Sequence, residues 1–276
     1  MGVQKMVFRD IHDLDLTHIF ECGQCFRWVP DGEGGYTGAA GSFAARAVVD
    51  GNDLIIEATG GDEAFWKNYF DLDTDYGCIK RQLAGSEPLI RPATEYGHGI
   101  RILNQDPFEM IISFIISQNN NIPRIRKNID SLCDRYGEPI EGSDRHAFPS
   151  PEALADADEE DLAAMRLGYR GPYIIAAAKE YLECGCPKCR EELLGYYGIG
   201  PKVANCIMLF GLRDTAAFPV DTWVKQIMND MYGFELSDTK GMQRFAHDKF
   251  GALAGYAQQY LFYYYRDGKK MANSSH

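Results

Sequence analysis

A lysine at the start of a predicted helix is the residue of this sequence best placed to do chemistry. Lys202 follows the glycine-rich turn Gly198-Ile199-Gly200 and Pro201, a residue that suits the first turn of a helix. The positive end of a helix disfavours a protonated amine, which leaves a lysine there more nucleophilic. A lysine amine that attacks C1′ of a nucleoside forms a Schiff base, from which β-elimination can cut the strand.

A carboxylate that could assist the lysine lies in the segment Phe218-Pro-Val-Asp221-Thr-Trp-Val224. Asp221 precedes a predicted helix and caps it whatever else it does. As a partner of Lys202, it would also stabilise a cationic sugar and position or deprotonate the amine. These residues alone leave open whether Asp221 is a cap only or a catalytic carboxylate.

The elements that must position Lys202 are two helices and the tight turn between them, over residues 193–204. Gly198 and Gly200 allow positive φ and a close approach of another backbone. The free N–H groups at the start of the second helix form a phosphate site. Such a helix-hairpin-helix binds the DNA backbone without reading sequence. An ordinary helix–helix turn is the alternative, and the glycine spacing alone does not decide between the two.

The charge of the chain does not favour a nucleic-acid binder. The 276 residues carry a net charge of −12, whereas a basic surface usually supplies most of the affinity for DNA. The acidic run 156–161 is typical of a solvated helix start. An acidic enzyme with a small-molecule substrate is therefore an alternative that only motifs can exclude.

The composition also bounds the setting in which the protein works. Residues 1–15 lack an apolar secretory segment, and no apolar stretch is long enough to span a membrane. The eight cysteines then fit a reduced compartment, the cytoplasm of a bacterium or archaeon or the nucleus of a eukaryote. The tail Lys269-Lys270 is too short to be a nuclear signal. We expect a monomer that has no membrane contact and needs no cofactor or metal.

Periodicity predicts an α+β chain, with an N-terminal antiparallel β-sheet domain over residues 1–98 and a mostly helical domain over residues 99–276. Short β-type runs separated by turns cover 26–29, 35–38, 43–50 and 53–59, with a hairpin turn at 50–53. An apolar helix after Asp106-Pro107 should be buried at the centre of the second domain. Further helices are predicted at 62–70, 75–83, 122–136, 150–154, 158–165, 173–182, 187–194, 201–212, 221–231, 243–250 and 254–264.

The hairpin with Lys202 and Asp221 resembles the helix-hairpin-helix DNA glycosylase superfamily, whose signature is such a hairpin followed by a Gly/Pro-rich loop and an aspartate. The lysine resembles the bifunctional branch, which removes a damaged base and also cuts the backbone. The iron–sulphur branch carries four cysteines after the catalytic region, whereas the last cysteine here is Cys206. We therefore expect no iron–sulphur cluster.

Further segments resemble 8-oxoguanine DNA glycosylase, and together they run from Gly23 to Phe262. The stretch Gly23-Gln-Cys25-Phe-Arg-Trp28 matches a family stretch that has Ser in place of Cys25. In that family the glycine carbonyl accepts the N7–H that only oxidised guanine carries, so the resemblance implies that Gly23 distinguishes the damaged base. Normal guanine has an acceptor at N7, and two acceptors would then face each other.

Three more residues complete the base pocket that the resemblance implies. The segment 257–262 matches the family's C-terminal pocket helix, in which Gln258 would read the Watson–Crick edge and Phe262, on the same helix face, would stack on the base. Cys206, one turn after Lys202, would form the opposite wall. Without the resemblance, core packing is the simpler interpretation of Phe262 and Cys206, and a plain turn is that of Gly23.

Two segments resemble the family's device for the base that is left behind. In Asn119-Asn-Asn-Ile-Pro-Arg124, Asn119 would fill the space of the extruded base and Arg124 would bond the orphaned cytosine. In Gly168-Tyr169-Arg170, Tyr169 would wedge into the stack and Arg170 would hold the same cytosine. Taken separately, a helix C-cap and a core aromatic are the simpler interpretations of the two segments.

The sequence departs from the family pattern at a few positions. Trp223 stands where eukaryotic members carry a His that contacts phosphate, and Gln118 replaces a Ser. Zinc or a redox pair stays open for two cysteine groups, although neither completes a four-ligand set at the usual spacing: Cys22 with Cys25, and Cys184 with Cys186 and Cys189.

The resemblance implies a base-flipping glycosylase/lyase that excises 8-oxoguanine from damaged double-stranded DNA and prefers cytosine opposite. A related enzyme for another damaged base, a catalytically silent DNA-binding hairpin and an acidic small-molecule enzyme are the alternatives. Lys202 and Asp221 together argue against a silent module.

Overall fold

The N-terminal part of the chain is a five-stranded antiparallel sheet with the strand order β1-β5-β4-β3-β2. It is seen in a computed structural model that describes residues 2–268, so that Met1 and 269–276, with the Lys269-Lys270 tail, lie outside the described residues. The predicted hairpin turn is present, because Asp50 pairs with Asp53 across it. The strands are β1 (Gln4–Phe8), β2 (Val29–Pro30), β3 (Tyr36–Ala40), β4 (Phe43–Asp50) and β5 (Asp53–Ala58).

Most of the described chain outside the sheet is helical, which confirms the predicted α+β class. The first α-helices are α1 (Leu16–Phe20), α2 (Glu63–Tyr69), α3 (Tyr76–Ser86), α4 (Arg91–Tyr96), α5 (Pro107–Ile116), α6 (Ile122–Tyr136) and α7 (Pro151–Ala155). They are followed by α8 (Glu159–Ala164), α9 (Arg170–Cys184), α10 (Arg190–Gly195), α11 (Pro201–Phe210), α12 (Thr222–Tyr232), α13 (Thr239–Phe250) and α14 (Ala254–Tyr263).

Capping side chains fix where three helices of the central region begin. Asp106, Asn121 and Asp221 precede α5, α6 and α12, and each accepts a hydrogen bond from the N–H three residues later. Proline in the first turn of α5 and α6 suits the same position. The starts of α6 and α12 are therefore set locally by the sequence.

Helix α5 forms the centre of the helical part, as its composition predicts. All of its residues from Phe108 to Ile116 are buried, and it packs against α6, α9 and α11. A second hydrophobic core lies against the sheet and includes Trp28, Trp66 and Phe70. The packing of α5 on α11 places the end of α5 beside the start of α11, the helix that carries Lys202.

Four elements differ from the sequence prediction. The run 26–29 is a strand only from Val29 onward; before it, the side chains of Arg27 and Trp28 donate to the His146 carbonyl and the Tyr69 hydroxyl. Strand β1 was not predicted, since only Met6 of its five residues is buried and apolar–polar alternation is weak. The short helices α1 and α4 also lack the length that makes helical periodicity visible.

Two further predictions concern the chain as a whole. Within residues 2–268 no helix combines the length and apolar character that a membrane crossing requires. The domain division at residue 98 stays a prediction.

Candidate active site and DNA-facing cleft

A cleft of about 750 Å³ opens between the ends of several helices and brings six of the predicted residues together. It is bounded by the end of α5, the starts of α6, α11 and α12, and the end of α14. The predicted residues that line it are Gly23, Asn119, Gly200, Lys202, Asp221 and Phe262.

Lys202 lies in the first turn of α11, where Gly200 precedes the helix and Pro201 opens it. Its side chain is half-buried, and Nζ lies 5.8 Å from the ring centroid of Phe114, within the range of a cation–π contact. Phe114 itself stacks on Phe210, with ring centroids 5.6 Å apart. The amine is thus held over an aromatic floor at the positive end of a helix.

Asp221 caps α12 and faces the same cleft. Its Oδ1 accepts a hydrogen bond from the Val224 N–H at 2.8 Å. Burial raises the pKa of Asp221, while the backbone amides of Val224 and Trp223 and the charge of Lys202 partly lower it. The site therefore holds a desolvated carboxylate whose charge is compensated by helix N–H groups and by the lysine.

Gly23 forms one wall of the cleft. Its φ is +82, a left-handed conformation that favours glycine. A Cβ at this position would lie 3.5 Å from the ring of Phe262, so the glycine backbone and the phenylalanine ring stand side by side. This geometry places the Gly23 backbone at the edge of the surface that the resemblance assigns to a stacked base.

The loop around Gly23 is held by glutamine side chains that the sequence analysis did not single out. Gln24 is completely buried; its amide donates to the carbonyls of Ile19 and Arg101 and accepts from the Leu103 N–H. Gln259, on α14, donates to the Cys22 carbonyl at 2.7 Å. The loop around Gly23 is therefore fixed on both sides of this residue.

Arg266 is a further residue that the sequence analysis missed. It lines the cleft, and its guanidinium lies 5.2 Å from the ring centroid of Phe262. The same group donates to the Glu21 carbonyl and to Asp267. Arg266 thus connects the loop before Gly23 with the end of α14 and supports the ring of Phe262.

Gln258 and Cys206 lie behind the cleft wall rather than among its lining residues. Both are buried. Oε1 of Gln258 is a buried acceptor that has no hydrogen-bond partner within the described part of the chain, and such an atom calls for a donor. Burial raises the pKa of the Cys206 thiol, which the nearby Lys202 charge partly offsets, so the thiol stays protonated at neutral pH.

The two segments predicted to meet the opposite strand are in contact. We call residues 117–121 the asparagine loop and residues 165–170 the wedge loop. Nδ2 of Asn119 donates to the hydroxyl of Tyr169 at 3.0 Å. Asn119 has a left-handed φ of 48, and Tyr169 is 46% exposed. The two side chains therefore stand together at the surface, and their roles in the DNA stack stay predictions.

The two arginines assigned to cytosine are bonded to the protein in this structure. Arg124 donates to the Arg166 carbonyl at 3.1 Å. Arg170 is buried and donates to the carbonyls of Gln118 and Asn119. Their roles in holding cytosine stay predictions, and either role requires that a guanidinium exchange a carbonyl for the base.

The two hairpin glycines differ in backbone conformation. Gly198 has a φ of +86, and a Cβ there would overlap the ring of Tyr173; its carbonyl accepts from Gln118 Nε2 at 3.1 Å. Gly200 has a φ of −92. Gly200 therefore does not use the positive φ that glycine allows, because this residue is the extended cap of α11 rather than part of the tight turn.

The cysteines that left zinc or a redox pair open are free thiols. Burial raises the pKa of Cys22 to about 11 and that of Cys25 well above its ordinary value. Both thiols are therefore buried and protonated at neutral pH, which disfavours thiol exchange, since exchange needs the thiolate.

Comparison with known proteins agrees with the class that this fold and cleft define, a helix-hairpin-helix protein of base excision repair. Residues 112–250 match the model described as "HhH-GPD superfamily base excision DNA repair protein", and residues 6–111 match "8-oxoguanine DNA glycosylase, N-terminal domain". The chain belongs to this 8-oxoguanine DNA glycosylase family of the helix-hairpin-helix superfamily.

Individual relatives are similar over different shares of their length. The N-glycosylase/DNA lyase of Saccharomyces cerevisiae is 31% identical over 87% of this chain and 74% of its own. A probable N-glycosylase/DNA lyase of Methanothermobacter thermautotrophicus is 34% identical over 59% of this chain, which spans 62% of that relative. The 8-oxoguanine glycosylase/lyase of Clostridium acetobutylicum, solved with DNA that has cytosine opposite 8-oxoguanine, is 38% identical, with a TM-score of 0.90 over 98% of this chain and 99% of that one.

Proposed function

We propose that this protein is a bifunctional DNA glycosylase/lyase that excises 8-oxoguanine, preferably opposite cytosine, from double-stranded DNA. The observation that carries the proposal is the presence of Lys202 and Asp221 in one cleft with the Gly23 backbone and the Phe262 ring. A helix-hairpin-helix used only for binding would need neither a half-buried lysine nor a desolvated carboxylate beside it.

Base selection is the first step of the proposed reaction. A base flipped out of the duplex would stack on Phe262. The N7–H of 8-oxoguanine would donate to the Gly23 carbonyl, and the Watson–Crick edge would donate to the unpartnered Oε1 of Gln258. Guanine lacks the N7–H, so its N7 lone pair would face the carbonyl and the damaged base would be preferred.

Bond breaking follows at C1′. The Lys202 amine forms a bond to C1′ while the N9–C1′ bond breaks and the electron pair leaves with the base, which takes up a proton. The carboxylate of Asp221 stabilises the positive charge that develops on the sugar. Loss of a proton from nitrogen and opening of the sugar give the Schiff base, and removal of a C2′ proton then expels the 3′ phosphate.

The asparagine loop and the wedge loop would contact the base that is left behind in the opposite strand. Asn119 and Tyr169 would fill the gap in the stack, since both stand at the surface and are bonded to each other. Arg124 and Arg170 would donate to cytosine, whose O2 and N3 are acceptors. We expect a monomeric protein in the cytoplasm of a bacterium or archaeon, or in the nucleus of a eukaryote.

Borohydride trapping on duplexes with 8-oxoguanine opposite each of the four bases tests the proposal. Wild-type protein should give a trapped adduct, fastest opposite cytosine, and Lys202→Gln should give none. A wild type that forms no adduct would contradict the lysine mechanism. An adduct that persists in Lys202→Gln would assign the nucleophile elsewhere, and one formed equally well on undamaged guanine would contradict the base assignment.

A further inference from the structure

The wedge loop is held by backbone turns and, in addition, by side chains. Arg166 and Gly168 both have left-handed conformations, with φ values of 61 and 57, and the N–H groups of residues 165–167 donate to carbonyls of α8. Three successive carbonyls of the loop each also accept a hydrogen bond from a side chain. These pairs are Met165 with Asn128 at 2.7 Å, Arg166 with Arg124 at 3.1 Å, and Leu167 with Arg170 at 3.2 Å.

Asn128 differs from the two arginines in that it is neutral and buried, with 4% of its surface exposed. It lies on α6, one turn after Arg124, and its amide bridges the two loops. Oδ1 accepts from Asn120 Nδ2 at 3.4 Å, and Nδ2 donates to the Met165 carbonyl at 2.7 Å. Because it lies inside the protein, Asn128 does not itself reach DNA.

The arginine bonds and the Asn128 bond have different fates when DNA binds. Under the proposed function, Arg124 and Arg170 release carbonyls in order to donate to cytosine, and the wedge loop then loses part of its support. The Asn128 bond does not compete with DNA and stays. Together with the backbone bonds to α8, it therefore keeps Tyr169 within reach of Asn119, whose Nδ2 lies 3.0 Å from the Tyr169 hydroxyl oxygen.

We propose that Asn128 is a positioning residue that fixes the wedge loop against the asparagine loop and thereby sets the selectivity for the base opposite the lesion. This inference rests on the proposed function, because that function assigns the orphaned base to these two loops. A looser wedge loop would accept several opposite bases with more equal rates, whereas Lys202 and Asp221 would be untouched.

The test compares Asn128→Leu, which has a similar size and no hydrogen-bonding group, with Asn229→Leu. Asn229 is a matched control, because its amide also donates from a helix to a loop carbonyl, that of Phe234 at 2.8 Å. Two readouts are needed: the ratio of single-turnover excision rates opposite cytosine and opposite adenine, and amide hydrogen exchange of residues 165–170 without DNA.

Asn128→Leu should lower the cytosine-to-adenine ratio by about five- to tenfold, the loss that one or two hydrogen bonds can produce, and should speed exchange in the wedge loop. Asn229→Leu should change neither readout. Asn128→Ser, which is too short to reach either partner, should reproduce the effect if the leucine variant does not fold.

The outcomes separate this inference from the proposed function. If the wild type prefers cytosine and both Asn128 variants keep that preference, the inference is overturned and the function stands. Unchanged exchange at residues 165–170 also overturns it. If the wild type excises equally opposite every base, the cytosine assignment fails, and the positioning role for selectivity fails with it, while the exchange readout still decides whether Asn128 couples the loops.

Discussion

Asp221 carries a conflict between function and stability at the scale of a single residue. Burial raises its pKa, so the folded protein disfavours the carboxylate that the proposed reaction uses. Its folded pKa is above its unfolded pKa, and the neutral form therefore stabilises the fold. That stabilisation is complete below the ordinary aspartate pKa and is lost as the pH rises through the raised value.

Asp221→Asn should therefore be more stable and much less active. Asparagine still caps α12 but cannot ionise, so the melting temperature of the variant should exceed that of the wild type at neutral pH, and the difference should shrink as the pH falls towards the ordinary aspartate range. Base excision should fall by about 10²- to 10⁴-fold. Thermal melts against pH and single-turnover rates measure both effects; a variant less stable than the wild type at pH 7 would contradict the assignment.

Gly23 gives a second prediction at this scale. Alanine at position 23 meets Phe262 at an ordinary contact distance of 3.5 Å, so the cost comes from the left-handed φ of +82. Relief of that strain, about 1–2 kcal/mol, would rotate the Gly23 carbonyl. We expect Gly23→Ala to reduce excision of 8-oxoguanine and its preference over guanine, as measured by product formation on paired duplexes. Gly51→Ala, also left-handed but in the β4–β5 turn, controls for stability alone, and equal losses in both variants would contradict a recognition role.

The chemistry-bearing pair was predictable from the sequence because its signals are local. A glycine turn followed by a proline and a lysine predicts the start of α11. An aspartate before an amphipathic helix predicts the start of α12. The supporting residues were not predictable in this way. Gln24 and Gln259 bond backbone groups remote in sequence, at Arg101 and Cys22, and no local pattern marks such partners.

The same distinction holds for secondary-structure elements, since local sequence sets the bounds of some and tertiary contacts set those of others. Helix α6 occupies the predicted residues because Asn121 and a proline fix its start. The run 26–29 is a strand only at Val29, since Arg27 and Trp28 before it bond groups that are remote in sequence. Arg170 is buried against the asparagine loop, a contact between segments about fifty positions apart that no local pattern indicates, and its role in holding cytosine stays a prediction.

The hairpin offers a prediction at the scale of the element, through its two glycines. Gly198→Ala combines a φ of +86 with overlap of the Tyr173 ring, so we expect a loss of folding free energy of about 1–3 kcal/mol and weaker binding to duplex DNA. Gly200→Ala has open space and an ordinary φ, and its stability should be close to that of the wild type. Chemical denaturation and fluorescence anisotropy give the two quantities.

The contrast between the two variants separates folding from DNA contact. If Gly200→Ala folds normally but binds DNA less well, the start of α11 contacts the backbone directly. If Gly198→Ala is as stable as Gly200→Ala, the close packing of the turn on Tyr173 is not what holds the hairpin.

At the scale of the whole molecule, a net charge of −12 must be reconciled with a polyanionic substrate. The cleft carries its own cations: Lys202 and Lys225 line it, and Arg124 lies exposed beside it. Positive potential is therefore local, while the acidic run 156–161 and other carboxylates lie elsewhere on the chain. Affinity should come from few phosphate contacts together with the base pocket rather than from a broad basic surface.

This distribution predicts a shallow dependence of DNA binding on salt. With about three or four phosphate contacts, the slope of log K against log salt should be about −3 to −4, because each contact contributes about 0.9. Lys225→Ala should reduce the slope by about one. Lys67→Ala, which removes a cation of α2 that is paired with Asp73, should leave it unchanged. Anisotropy titrations from low to high salt measure these slopes on a duplex with a tetrahydrofuran abasic-site analogue, which cannot form a Schiff base. A wild-type slope near −8, or equal changes in the two variants, would mean that cations well outside the cleft hold the DNA and that the acidic surface is organised differently from what the cleft implies.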